Sequence, residues 1–192
     1  MGEYIYLFIG ESGCGKTTIC NQLAEDGLKQ LWSYTTRKKR YDGEPGHVFV
    51  DTFPQNTRCV AYTNFDGCEY WATAEQVDES DTYVVDPAGL QWFLSNYHGD
   101  KKPIVFYLDT SRLTRRRRMK ARGDKPEDIR RRLQHDKEEF AQFRYDAYHC
   151  SDALPLVIII DNNANDGSGL QKVRDYIKFF EEGDPDTDFI RF

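Results

Sequence analysis

The chain has 192 residues, enough for one domain that buries its own core without disulfide or metal staples. Hydrophobic residues make up 39 % and charged residues 30 %, a globular composition, and no apolar run approaches the roughly 20 residues that span a bilayer. The formal net charge of −6 disfavours general nucleic-acid binding, and five cysteines without C-x-x-C spacing argue against a disulfide framework or a zinc site. No secretory leader pattern opens the chain, so the expected compartment is a reducing cytoplasm, with no membrane attachment and no obligate protein partner.

Residues 4–9 (YIYLFI) are apolar, aromatic or β-branched and stop at a glycine, which reads as a buried strand. From residue 17 to about 28, Ile19, Leu23 and Ala24 recur at helical spacing and Gly27 supplies a stop. "LWSYTT" (31–36) reads as a second strand, and residues 37–80, rich in Gly, Thr, Asp and aromatics, as an inserted β-rich segment. "TYVVD" (82–86), "PIVFYLD" (103–109) and "PLVIIID" (155–161) are further strands that each end in aspartate, with helix-like segments at about 88–97 and 168–182. This alternation predicts an α/β fold of three layers, with a parallel sheet of about five strands covered on both faces.

Residues 111–149 form two highly charged helix-like stretches joined at "RGDKPED", where Pro126, Glu127 and Asp128 suit a first helical turn. Eleven of the 26 Lys and Arg residues lie between Arg112 and Arg132, against three acids. Arg115, Arg116 and Arg117 are expected on an exposed helix face, and a nucleic-acid patch is the competing reading of "RRRRMKAR". The final residues, "GDPDTDFIRF", read as a loosely held tail.

The stretch "GESGCGKTT" follows the first strand and opens the first helix. Gly10, Gly15, Lys16 and Thr17 fit the phosphate-loop pattern G-x-x-x-x-G-K-[ST] in the context that pattern requires. Glycines let the backbone curl so that amides from Gly10 through Ser12, Gly13, Cys14, Gly15, Lys16, Thr17 and Thr18 surround phosphate oxygens. The helix start adds positive potential, Lys16 reaches the β- and γ-phosphates, and the Thr17 hydroxyl ligates Mg²⁺. Such a loop alone admits an ATPase, GTPase, kinase or motor. The strand-end acids Asp86, Asp109 and Asp161 are equivalent by spacing as partners of the metal's hydration shell.

"SYTTRKKRYDGEPGHVFV" (33–50) resembles the segment that follows the phosphate loop in guanylate kinases: Ser33, Thr35, Thr36, Arg37, Arg40, Gly43, Glu44, Gly46, His47, Phe49 and Val50 follow in that order. The resemblance continues through "FDGCEYWAT", "DPAG", "MKARGDKPEDIRRRL" and "VIIIDN", and so covers nearly the whole chain. It implies a phosphate-loop core (1–34, 81–111 and 136–192), an acceptor-binding region (35–80) and an arginine-rich helical lid (112–135). It implies ATP as donor, Mg²⁺ as cofactor and a nucleoside monophosphate, (d)GMP or a relative, as acceptor. Arg37 and Arg40 then clamp the acceptor phosphate with Ser33 and Tyr70, and Arg118, Arg122 and Arg132 are the lid arginines. With Lys16 and Arg37 these form the catalytic set, and "DPAG" selects Asp86 for the metal, through water.

The chain departs from the family pattern at base recognition. Ala61 stands where a guanine-reading glutamate is usual, Ala72 where a serine is usual, and Val84 where a second acid is usual. His47 replaces a clamp tyrosine, and Trp71 a glycine. Two alanines cannot pair with a base edge, so Glu69, Thr73 and Glu75 become candidates for reading it, with Tyr62 or Trp71 stacking on the base. Two other functions fit less well: a kinase of another phosphorylated small molecule, and a non-catalytic interaction module, which would be expected to have lost Lys16 and Thr17.

Overall fold

The fold is taken from a computed structural model that describes residues 2–183, apart from 40, 55, 56, 66, 151 and 153. The expected tail lies outside the described residues, except Gly183. The chain runs β1 (Tyr4–Ile9), α1 (Lys16–Glu25), β2 (Ser33–Thr35), β3 (His47–Phe49), β4 (Cys59–Phe65), β5 (Cys68–Thr73), α2 (Ala74–Asp78), β6 (Thr82–Val84), α3 (Pro87–Asn96), β7 (Lys102–Asp109), α4 (Arg112–Ala121), α5 (Pro126–Tyr148), β8 (Val157–Asp161) and α6 (Ser168–Glu182).

β1 is central to a parallel sheet of order β6-β1-β7-β8. Side chains alternate along a strand. Ile5, Leu7 and Ile9 therefore join Val105 and Tyr107 on one face, where Leu90 and Phe93 of α3 and Phe140 and Phe143 of α5 cover them. Tyr6 and Phe8 join Phe106, Leu108 and Ile160 on the other face, under Ile19 and Leu23 of α1 and Val173 and Ile177 of α6. Burial on both faces explains why these strands are continuous apolar runs rather than alternating ones.

The parallel sheet has four strands among the described residues, not about five. Among the described residues, its main-chain contact with the expected strand 31–36 is the Leu31 amide bonded to the Thr82 carbonyl, beside a bridge from the preceding Gln30 to Thr82, and the Leu31 side chain packs into its core. The chain then turns away, and Ser33–Thr35 becomes the second strand of a separate sheet of order β3-β2-β5-β4. There Tyr34 lies opposite Trp71, their rings stacked at 5.5 Å, and Phe53 meets Trp71 edge-on at 4.8 Å. Pairing β2 with β5 gives these rings a common face, which β6 at the edge of the first sheet does not offer.

α4 and α5 are joined by a short turn at residues 122–125, as the charge pattern implied, and α5 continues unbroken past residue 135 to Tyr148. Its buried positions Ile129, Leu133, Asp136, Phe140, Phe143 and Ala147 form one stripe at helical spacing. Arg115 departs from expectation: it is 5 % exposed, facing that stripe from α4.

All five cysteines are reduced, and Cys14 and Cys20 are buried whereas Cys150 is exposed. Burial pushes the Cys20 thiol up to about 12, so little reactive thiolate forms near neutrality. Alkylation of the native protein at about pH 8 should modify Cys150 first and leave Cys20 until the chain unfolds. Peptide mass spectrometry along a time course checks this order.

Candidate active site

The loop that leaves β1 is built on glycines with left-handed backbone: Gly13 at φ 79 and Gly15 at φ 110. A side chain at either would also collide, since a Cβ at Gly13 would lie 2.9 Å from the Arg115 carbonyl oxygen and one at Gly15 2.6 Å from Asn162 Nδ2. α1 begins at Lys16, so the loop delivers the amino end of a helix to the carboxyl edge of the sheet. The Lys16 ammonium folds back onto the loop, donating to the Gly10 carbonyl and, at 3.4 Å, to that of Glu11.

The loop's outer side is held from several elements. The Cys14 carbonyl accepts from Asn162 Nδ2 at 2.7 Å, Arg118 Nη1 at 3.0 Å and the Thr110 hydroxyl at 3.3 Å. A loop whose carbonyl is held from outside presents amides to its concave side. Arg118 also donates to Asn165 Oδ1 and the Ala164 carbonyl. It is thus part of the loop's wall.

A second set of contacts ties the loop to α4 and α5. Asp136 accepts from the Ser12 amide and hydroxyl, each at 3.0 Å, and from Arg115 Nη1 at 2.9 Å. Glu11, 2 % exposed, accepts from Arg144 and, at 3.3 Å, from the Tyr107 hydroxyl, with Arg115 at 3.8 Å. The spacing motif named none of Glu11, Arg115, Asp136 and Arg144. The available signal was an acid on an apolar helical stripe, as Asp136 falls between Leu133 and Phe140.

The second sheet brings together most of the expected acceptor residues. Ser33 lies opposite His47 in the β2–β3 pairing, their Oγ and Nδ1 atoms 3.0 Å apart, and the His47 ring meets Tyr70 edge-on at 5.5 Å. Arg37 lies over the Phe49 ring and bonds Glu44 Oε1 at 2.8 Å. Burial raises the Tyr70 hydroxyl above its ordinary range, against the opposing pull of the Arg37 cation. Arg40 lies outside the described residues. Thr73 is placed elsewhere: its hydroxyl accepts from the Gln76 amide and caps α2.

A cavity of about 220 Å³ lies between the two parts. Its lining includes Gly10, Ser12 and Lys16 from the loop and Ser33, His47 and Tyr70 from the second sheet, with Asp86 and Glu139 also on its wall. A wider groove of about 940 Å³ shares Tyr62, Thr63 and Glu139 with it and is otherwise lined mainly by α3 and α5, including Trp92 and His135. Of the three strand-end acids, Asp86 alone lines the cavity. Its Oδ1 caps α3 through the Gly89 amide and accepts from Thr63 Oγ1 at 2.8 Å. Asp109 accepts from the Tyr148 hydroxyl and Asp161 from Asn163, so of the three only Asp86 faces the phosphate loop and the second sheet across this cavity.

Two of the arginines expected in a lid are turned onto one acid. Arg122 binds Asp124 at 2.8 and 2.5 Å, and Arg132 reaches the same carboxylate at 3.7 Å. Neither is on the cavity wall. Ala61 and Ala72 are 1 % and 0 % exposed and face each other across β4 and β5 within the core. Neither they, Glu69 nor Glu75 line the cavity, whereas Val84 does.

A phosphate loop at the end of the central strand of a parallel sheet, with a small second sheet and an arginine-bearing helix pair beside it, defines a P-loop protein of the guanylate kinase-like fold. The crystal structure of guanylate kinase from Anaplasma phagocytophilum superposes with a TM-score of 0.56 over 94 % of this chain and 87 % of that one, at 17 % sequence identity. The family described as "AAA domain" matches residues 7–142, and the chain belongs to that family. No curated protein matches the sequence. Among the described residues no helix is long and apolar enough to cross a membrane.

Two expectations test this geometry. Ala61→Glu, which introduces the residue the family pattern led one to expect there, should destabilise the protein by more than about 2 kcal/mol in chemical denaturation, because the carboxylate enters packed core. Burial and the neighbouring Asp86 raise the Glu139 carboxyl above its ordinary range, opposed by His135. The folded state then holds a proton that the unfolded state releases, so stability is lost as pH rises through the ordinary range to the folded value. Glu139→Gln should remove that loss, so its melting temperature should gain on wild type as pH rises above about 4.

Proposed function

We propose that this protein is a kinase of guanylate kinase type that moves the γ-phosphoryl group of ATP to a nucleoside monophosphate, (d)GMP or a relative. The observation that carries this is the shared cavity: the phosphate loop forms one side and Ser33, His47 and Tyr70 form another. Direct transfer needs donor and acceptor phosphates brought together by separate cationic sites, with positioning and charge stabilisation in place of a covalent intermediate. In this reading the loop amides and Lys16 hold the donor, and Arg37 with Arg40, Ser33, His47 and Tyr70 hold the acceptor phosphate. Arg122 and Arg132 leave Asp124 when the lid closes and face the transferring group, while Arg118 stays on the loop.

The oxygen donors suit Mg²⁺. Thr17 is exposed at the start of α1, and Asp86 Oδ2, on the cavity wall, makes no hydrogen bond among the described residues. Thr17, with Asp86 through water, would hold the ion, which would supply positive charge against the phosphates. The base is read by groups other than those at positions 61, 72 and 84. Tyr62, Thr63 and Glu139 are the polar side chains that line both the cavity and the groove beside it.

With ATP·Mg²⁺ and a panel of GMP, dGMP, AMP, CMP, UMP and dTMP, at least one acceptor should give acceptor-dependent ADP; none doing so sinks the reading. Lys16→Ala should lower kcat by about 10²–10³-fold with that acceptor and leave the melting temperature near wild type. Full activity in this variant would refute the role given to the loop.

A further inference from the structure

Asp136 is 4 % exposed on the apolar stripe of α5, and phosphoryl transfer as proposed above gives it no chemical task. A buried carboxylate is costly unless it is paired and hydrogen-bonded, and a well-packed apolar pair in its place is often at least as stable. Asp136 is fully engaged: the Ser12 amide, the Ser12 hydroxyl and Arg115 all donate to it, and Arg115 is itself buried. It also lines the cavity that holds Lys16, where an acid opposes a polyphosphate unless a cation offsets it. Stability alone does not account for a carboxylate there. Its hold on the loop does.

Ser12 spends its amide on Asp136, and Cys14 spends its own on the Glu11 carbonyl at 3.1 Å. The amides of Gly13, Gly15, Lys16, Thr17 and Thr18 make no hydrogen bond among the described residues and are the ones left for phosphate oxygens.

We propose that Asp136, with Arg115 as its counter-ion, is a positioning residue that sets the shape of the phosphate loop before nucleotide arrives. The pair also anchors the lid. Arg115 belongs to α4 and Asp136 to α5, and Arg118 adds a second anchor from α4 to Cys14. The bases of both lid helices are therefore pinned to the loop, and closure is confined to the segment between Arg118 and Asp136, which carries Arg122 and Arg132. This rests on the reading that the loop holds ATP.

The test compares wild type with Asp136→Ala, Asp136→Asn, Ser12→Ala and the double variant Arg115→Met/Asp136→Leu. Each is measured by calorimetric titration with ATP·Mg²⁺, by thermal melting and, with the accepted monophosphate, by kcat and both KM values. Asp136→Ala should weaken ATP·Mg²⁺ binding about tenfold or more and lower kcat, with acceptor KM unchanged. Asp136→Asn, which still offers an oxygen to the Ser12 amide, should fall between it and wild type. The double variant decides between positioning and packing: it should melt near wild type yet bind ATP·Mg²⁺ as weakly as Asp136→Ala. Wild-type ATP affinity and kcat in a folded double variant would overturn the proposal. If Asp136→Ala does not fold, the double variant and Ser12→Ala, which loses one of three contacts and should lose about twofold to threefold, carry the test; unchanged binding in both overturns it. Wild type that binds no ATP·Mg²⁺ overturns this proposal together with the kinase reading. Wild type that binds ATP but phosphorylates no acceptor overturns only the kinase reading, and the binding data still decide this one.

Discussion

A buried ion pair between Arg115 and Asp136 stands where the phosphate loop, helices α4 and α5 and the cavity meet. Removing one partner of such a pair costs about 3–5 kcal/mol, because the other is left charged and buried. Around it Glu11, Tyr107 and Arg144 make a second cluster on the same loop. The loop is thus gripped at Glu11, Ser12 and Cys14 from β7, α4, α5 and the segment after β8. A glycine-rich loop has large conformational entropy to lose, and this grip reduces what is left to lose when phosphate binds.

The two sheets divide the work. The parallel sheet, sealed on both faces, is a rigid base from which β1 presents the loop. The second sheet has its own aromatic support in Tyr34, Phe53 and Trp71 and carries Ser33, His47 and Tyr70. Its main-chain link to the first sheet runs through Gln30 and Leu31. It also shares a core with that sheet: Val60, Ala61 and Ala72 pack in one cluster with Ile5, Leu7 and Phe93.

Strong local patterns were legible in the chain. The strand–loop–helix of residues 4–25, the strand-end aspartates and the helices at 87–96 and 168–182 follow from apolar runs, glycines and caps that act over a few residues. The helix pair joined near Gly123 was legible for the same reason. Less legible was the fate of residues 31–36. Their β character is plain, but which sheet takes them depends on Trp71, about forty positions away in sequence. Thr73 has the right chemistry for a base contact, yet its hydroxyl caps α2. Arg115 sits in a run of four arginines and looks solvated, and only the facing stripe of α5 buries it.

By itself the sequence determined the phosphate loop, the order of strands and helices around the parallel sheet and the candidates for the acceptor clamp, because spacing along the chain dictates backbone geometry over short distances. The tertiary structure decided which of Asp86, Asp109 and Asp161 lies beside Lys16, and that Ala61 and Ala72 are core rather than cavity. It also decided that Asp136 grips Ser12. These contacts join residues tens of positions apart. Their energies depend on burial and on the exact distance between charges, quantities that exist only once the layers have packed.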